Sequence, residues 1–133
     1  MKKIFLGISL ILIFSSSLFA KNNGSLSVDE LEVYIKKSII IIDIRDENSW
    51  KKTGIIPSSF RITYEKASEK KWFSTLIKLI KDKNKAFVLI SKDGNNAKKL
   101  AKKLHDEKKL RGPMYLNGGI NEWIDSDRKV ISY

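Results

Sequence analysis

Apolar positions along the chain follow two patterns, and the two alternate. Residues 38–45, SIIIIDIR, form a nearly unbroken β-branched run. Such a run suits a strand covered on both faces, as in a parallel sheet. Residues 85–91, KAFVLIS, repeat the pattern, and PMYLN at 113–117 is a shorter version. Between these runs the spacing turns helical. Trp72, Phe73, Leu76, Ile77 and Ile80 recur at three- and four-residue steps and predict a helix over 64–82. Ala97, Leu100, Ala101 and Leu104 do the same over 95–109. SVDELEVYIKK, 27–37, reads as a further helix, with Ser27 and Glu30 spaced as a capping box.

Shorter pieces fill the gaps. ENSWKK, 47–52, predicts a helical turn, and TGIIPSS, 53–59, a loop punctuated by Gly54 and Pro57. FRIT, 60–63, predicts a brief strand; GGINEWIDS, 118–126, a last turn of helix; and KVISY, 129–133, a small edge element. Strands alternating with helices imply an α/β protein: a mainly parallel sheet of about five strands, flanked by helices on both faces. In such sheets, sites form where strands end at their carboxyl edge. The two strongest strands end in polar residues there, one at Asp43 to Arg45 and the other at Ser91.

The first twenty residues belong to a different category. Lys2 and Lys3 precede an apolar run at 4–14, and SSSLFA leads to Ala20. This is the layout of a secretory signal peptide, with residues 21–133 as the single remaining domain. Leu18 stands where cleavage sites prefer a small residue, so an uncleaved N-terminal anchor is the alternative. The protein is therefore expected outside the cytoplasm, in the bacterial periplasm. With the segment retained it would be tied to the inner membrane, the one case in which membrane contact is expected.

Composition then removes chemistries. The chain has no cysteine and one histidine, His105. Disulfides, a lipidated cysteine, the usual zinc sets and covalent chemistry on the protein's own thiol all fall away. No metal or cofactor is expected. The net charge is +11, and removing Lys2 and Lys3 with the first segment leaves +9. The lysines are interspersed with acids, as in EKASEKK and HDEKK, which predicts a solvated helical surface. No RNA-binding signature or aromatic-interleaved basic stripe is present, so nucleic acid is not expected as a partner.

Three stretches carry a resemblance. IIIIDIRDENSWKKTGIIPSSFRI, with Asp43, Arg45, Trp50, Gly54 and Ile56, is similar to the first signature of the rhodanese-like domain. FVLISKDGNNAKKLAKKL resembles that family's active-site strand, loop and helix. MYLNGGINEW, with Asn117, Gly118, Gly119 and Trp123, resembles its closing signature. Together they span residues 27–126. The resemblance implies the fold just described. It also implies an anion-cradling loop made of Ser91, Lys92, Asp93, Gly94 and Asn95, with Asn96 opening the helix. In the family the first loop residue is a cysteine that carries sulfane sulfur as a persulfide.

Here that position is Ser91, whose hydroxyl cannot hold a persulfide and lacks a neighbouring base in the sequence. Asn96 stands where many relatives carry arginine, and Asp93 adds a negative charge to the loop. No catalytic residue is therefore assigned. Residues 91 to 96 are the expected binding loop. Asp43, Arg45 and Trp50 are expected to support the pocket, with Trp50 the best placed of the tryptophans for ligand contact. His105 is expected on the helix surface. The reading is a non-catalytic module that binds a protein partner or a small anion. The alternative is a sulfurtransferase-related component of the cell envelope, acting with a partner that supplies the thiol.

Overall fold

A computed structural model of the chain describes residues 24–133. The segment at 1–20 and its expected cleavage site lie outside the described residues. Five parallel strands make one sheet: β1 (Ser25–Leu26), β2 (Ile40–Asp43), β3 (Phe60–Arg61), β4 (Phe87–Ile90) and β5 (Pro113–Leu116). Their spatial order is β1-β5-β4-β2-β3. The helices are α1 (Val28–Lys36), α2 (Glu47–Thr53), α3 (Glu69–Ile80), α4 (Asn95–Lys108) and α5 (Gly119–Asp125). No helix among the described residues is long and apolar enough to cross a membrane.

Side-chain alternation along the strands builds two cores. Phe87 and Leu89 of β4 face one side, where they meet Trp72, Leu76 and Ile80 of α3 and Ala97, Leu100, Ala101 and Leu104 of α4. Val88 and Ile90 face the other side, with Val28 and Leu31 of α1 and Ile120 and Trp123 of α5. All four residues of β4 are buried because the strand is central and covered on both faces, as its apolar run requires. The capping box at Ser27 forms as expected. Its hydroxyl accepts the Glu30 N–H at 3.1 Å, while the Glu30 carboxylate accepts the Ser27 N–H at 3.1 Å.

The long helix expected over 64–82 begins late. Tyr64 N–H donates to the Ile44 carbonyl at 3.0 Å and Thr63 Oγ1 to the Arg45 carbonyl at 2.8 Å. These bonds hold the chain extended beside β2, and a 3₁₀ turn at Lys66–Ser68 intervenes before α3. The C-terminal tail contributes one antiparallel bridge, Ile55 to Ile131, and no longer strand. β1 has no counterpart in the hydrophobic pattern. It is two residues long, and its pairing with Tyr115 and Leu116 is made across the whole chain.

Candidate functional site

From β2 the chain moves outward to β3, and from β4 it moves the opposite way to β5. The direction of winding therefore reverses between β2 and β4, and a crevice opens past their carboxyl ends, where ligands of open α/β sheets sit. A cleft of about 580 Å³ occupies that place. Ile44 and Arg45 line it from the end of β2, and Ser91 and Lys92 from the end of β4. Asn96, Lys99 and Lys103 line it from α4.

Ser91 is 3% exposed. Its Oγ accepts two loop amides, Gly94 N–H at 3.1 Å and Ala97 N–H at 3.2 Å. The hydroxyl thus fills the inner part of the cradle that its own loop makes. Among the described residues no basic side chain is hydrogen-bonded to it. His105 lies far along α4 and pairs with Asp106, Nδ1 to Oδ1, at 3.1 Å. In accepting these two amides the hydroxyl braces its own loop. The N–H groups of Lys92 and Asn96 have no acceptor among the described residues.

The closing turn fixes the loop from behind. Ile120 N–H donates to the Ser91 carbonyl at 2.9 Å and Asn121 N–H to the Lys92 carbonyl at 3.1 Å. This approach needs glycine. A Cβ on Gly119, which has a φ of +62°, would stand 2.4 Å from the Ser91 carbonyl oxygen. Gly94, at φ +92°, starts α4 with the same freedom, and a Cβ there would sit 2.9 Å from the Leu116 carbonyl oxygen.

Asp43 and Arg45 form a buried pair, 1% and 8% exposed. Arg45 Nε donates to Asp43 Oδ1 at 3.0 Å and Nη2 to Oδ2 at 2.8 Å. The remaining guanidinium donors reach Thr53 Oγ1 at 2.8 Å and the Gly54 carbonyl at 3.1 Å. The pair ties the end of β2 to the end of α2, with Arg45 as one wall of the cleft. Trp50 does not line the cleft. It is buried against Tyr133, ring centres 5.6 Å apart, and its indole N–H has no acceptor among the described residues. Asp93 is turned away to cap its own loop, accepting the Asn95 N–H at 3.0 Å. It lines a different hollow with Asp29 and Glu122. Of the expected binding loop, then, Ser91, Lys92 and Asn96 reach the cleft, whereas Asp93, Gly94 and Asn95 do not.

Sequence patterns gave no hint of Tyr64, Lys66 and Lys103 as cleft residues. Lys99 was within reach of sequence reasoning, since it lies three residues beyond Asn96 and shares its helical face. Tyr64 Oη donates to Glu69 Oε2 at 2.8 Å and Lys103 Nζ to the same oxygen at 2.6 Å. Lys103, and then Tyr64, hold the Glu69 carboxyl below its ordinary range by hydrogen bonding. Burial, and then the hydrogen bond to Glu69, push the Tyr64 hydroxyl up. At neutral pH Lys103 is therefore neutralised by Glu69. Lys66, Lys92 and Lys99 form no ion pair among the described residues. Asp46 and Glu65 are the acidic residues of the rim. No cluster of metal-ligating side chains occurs among the described residues.

A doubly covered parallel sheet with a strand–loop–helix cradle at its winding reversal defines the class of protein. The profile of the rhodanese-like domain matches residues 27–126, and the chain belongs to that family. It is a rhodanese-like domain without a cysteine. Among solved structures it is similar to a Rhodopseudomonas palustris protein of unknown function, described as a possible tyrosine phosphatase. The identity is 20%, the TM-score 0.68, and the alignment covers 90% of this chain and 93% of that one. A rhodanese-related protein from Thermoplasma volcanium aligns at 20% identity and TM-score 0.61, over 80% of this chain and 96% of that one. A rhodanese-like domain protein from Staphylococcus aureus gives 21%, 0.59, 81% and 98%. A search of curated proteins finds no significant match.

Proposed function

We propose that this is a non-catalytic rhodanese-like domain that holds a small anion in the cleft between the ends of β2 and β4. The observation that carries this reading is a coincidence of uncommitted donors at one place. The Lys92 and Asn96 amides and the Lys66, Lys92 and Lys99 ammonium groups all border the cleft, beside a serine already spent on its own loop. Backbone amides opening a helix suit an oxyanion without any special side chain. A sulfur or phosphorus oxyanion fits those donors.

Calorimetric titration with thiosulfate, sulfite and phosphate at low salt tests it. Binding of one of them is expected, weakened up to about fivefold by Lys99→Gln, the scale of an exposed charge contact. A protein that binds none of the three sinks the reading. The chemistry is tested separately, by thiosulfate-to-cyanide sulfur transfer. The natural protein is expected to be inactive. Ser91→Cys is expected to gain activity, because the Gly94 and Ala97 amides would then face a thiolate and favour it. Activity of the natural protein would instead demand a mechanism that does not use a thiol of this chain.

We also propose, from residues 1–20 alone, that the domain acts outside the cytoplasm. Mass spectrometry of the chain from its native host is expected to find Lys21 at the N-terminus. An intact Met1 would rule out cleavage and leave the anchored form.

A further inference from the structure

Charge is divided unequally between the two helical layers. Residues 62–112 supply α3, α4 and the loops at their ends, and hold fifteen basic and six acidic residues, a balance of +9. The rest of the described chain holds eight and nine, a balance of −1. Fourteen of the fifteen are exposed, Lys103 alone being half-buried. Lys102 and Lys103 are tied to Asp106 and Glu69, and the others form no ion pair among the described residues. The acids mixed among the lysines in sequence do not neutralise this layer, and α1 and α5 lie on the opposite face of the sheet. The molecule is therefore electrostatically two-sided.

We propose that the α3–α4 layer docks on an anionic phospholipid bilayer. Two observations favour that occupant over a nucleic acid. All fifteen cations but Arg111 are lysines, compact point charges without the planar fork that reads phosphate or base edges two bonds at a time. The exposed large apolar residues, Val33, Phe60, Ile124, Ile131 and Tyr133, all lie outside this layer, so it offers no exposed aromatic on which a base would stack. A distributed lysine face is complementary to the negative surface of such a bilayer, which attracts clustered cations at long range. This proposal is independent of what the cleft binds.

The test uses the protein beginning at Lys21, with phosphatidylcholine vesicles, with and without one-third phosphatidylglycerol. One variant combines Lys70→Gln, Lys71→Gln, Lys78→Gln and Lys98→Gln on the basic layer. A second combines Lys36→Gln, Lys37→Gln, Lys52→Gln and Lys129→Gln elsewhere, with the same loss of charge. Cosedimentation with the anionic vesicles is expected to weaken at least about tenfold for the first variant and less than about twofold for the second. Lysine acetylation of the vesicle-bound natural protein provides a second reading. Lys70, Lys71, Lys78 and Lys98 are expected to be shielded relative to Lys36 and Lys37. Equal losses for the two variants, even acetylation, binding indifferent to phosphatidylglycerol, or a preference for single-stranded DNA over the vesicles would each overturn the proposal.

Discussion

Arg45→Ala is expected to destabilise the fold by about 3–5 kcal/mol, the scale of stripping one partner from a buried ion pair. Asp43 would remain in the sheet at 1% exposure with its cation gone. The bonds from Arg45 to Thr53 Oγ1 and to the Gly54 carbonyl would go as well, and with them the tie between the end of α2 and β2. The charge left behind dominates this cost, more than the contacts removed. A double variant, Asp43→Leu with Arg45→Met, is therefore expected to recover a large part of the stability. Thermal or denaturant unfolding of the three proteins checks this. If the double variant is no more stable than Arg45→Ala, the pair stabilises through its hydrogen bonds to α2, and the account by stranded charge fails.

Gly119→Ala is expected to cost about 2–5 kcal/mol, the sum of strain at a left-handed residue and two weakened amide bonds. The added Cβ would press on the Ser91 and Lys92 carbonyl oxygens at 2.4 and 2.5 Å, and both belong to backbone that cannot swing aside. The effect should reach the cleft. The Ile120 and Asn121 amides that hold the loop would be displaced, and they in turn set where the Lys92 and Asn96 amides point. Hydrogen exchange at Ile120 and Asn121 is expected to rise together with a loss of anion binding. Unchanged exchange with a cost under about 1 kcal/mol would show that the junction adapts, against the usual penalty of that backbone region.

Stability and site are thus coupled through one feature. The loop after β4 has little freedom of its own. It is held by Ser91 from inside and by the closing turn from behind. A family whose chemistry depends on the first loop residue would ordinarily expose a thiol there. In this chain Ser91 stands there, and its hydroxyl keeps the loop assembled.

Local physics made much of this legible in the sequence. Two β-branched and apolar runs can only be central strands, because leaving either face in water would waste them. Helical spacing of Leu76 with Ile80, and of Leu100 with Leu104, can be buried only against those strands. The signatures around Asp43, Ser91 and Gly118 pointed to the family, and the absence of its cysteine was plain without any coordinates.

What the chain could not disclose locally is what depends on distant partners. β1 exists as a strand because β5 is beside it, not because of its own two residues. Trp50 packs on Tyr133, 83 residues away in the chain, and does not line the cleft. Asp93 turned its charge away from the cleft by capping its own loop. Lys66 and Lys99 meet at one cleft only when α4 is laid against the segment before α3. The lysines looked evenly neutralised in one dimension and proved one-sided in three. Residue type and periodicity determine which elements form and which faces are buried. Which side chains share a cleft or a face is set by packing between segments far apart in the chain, and only the tertiary structure decided that.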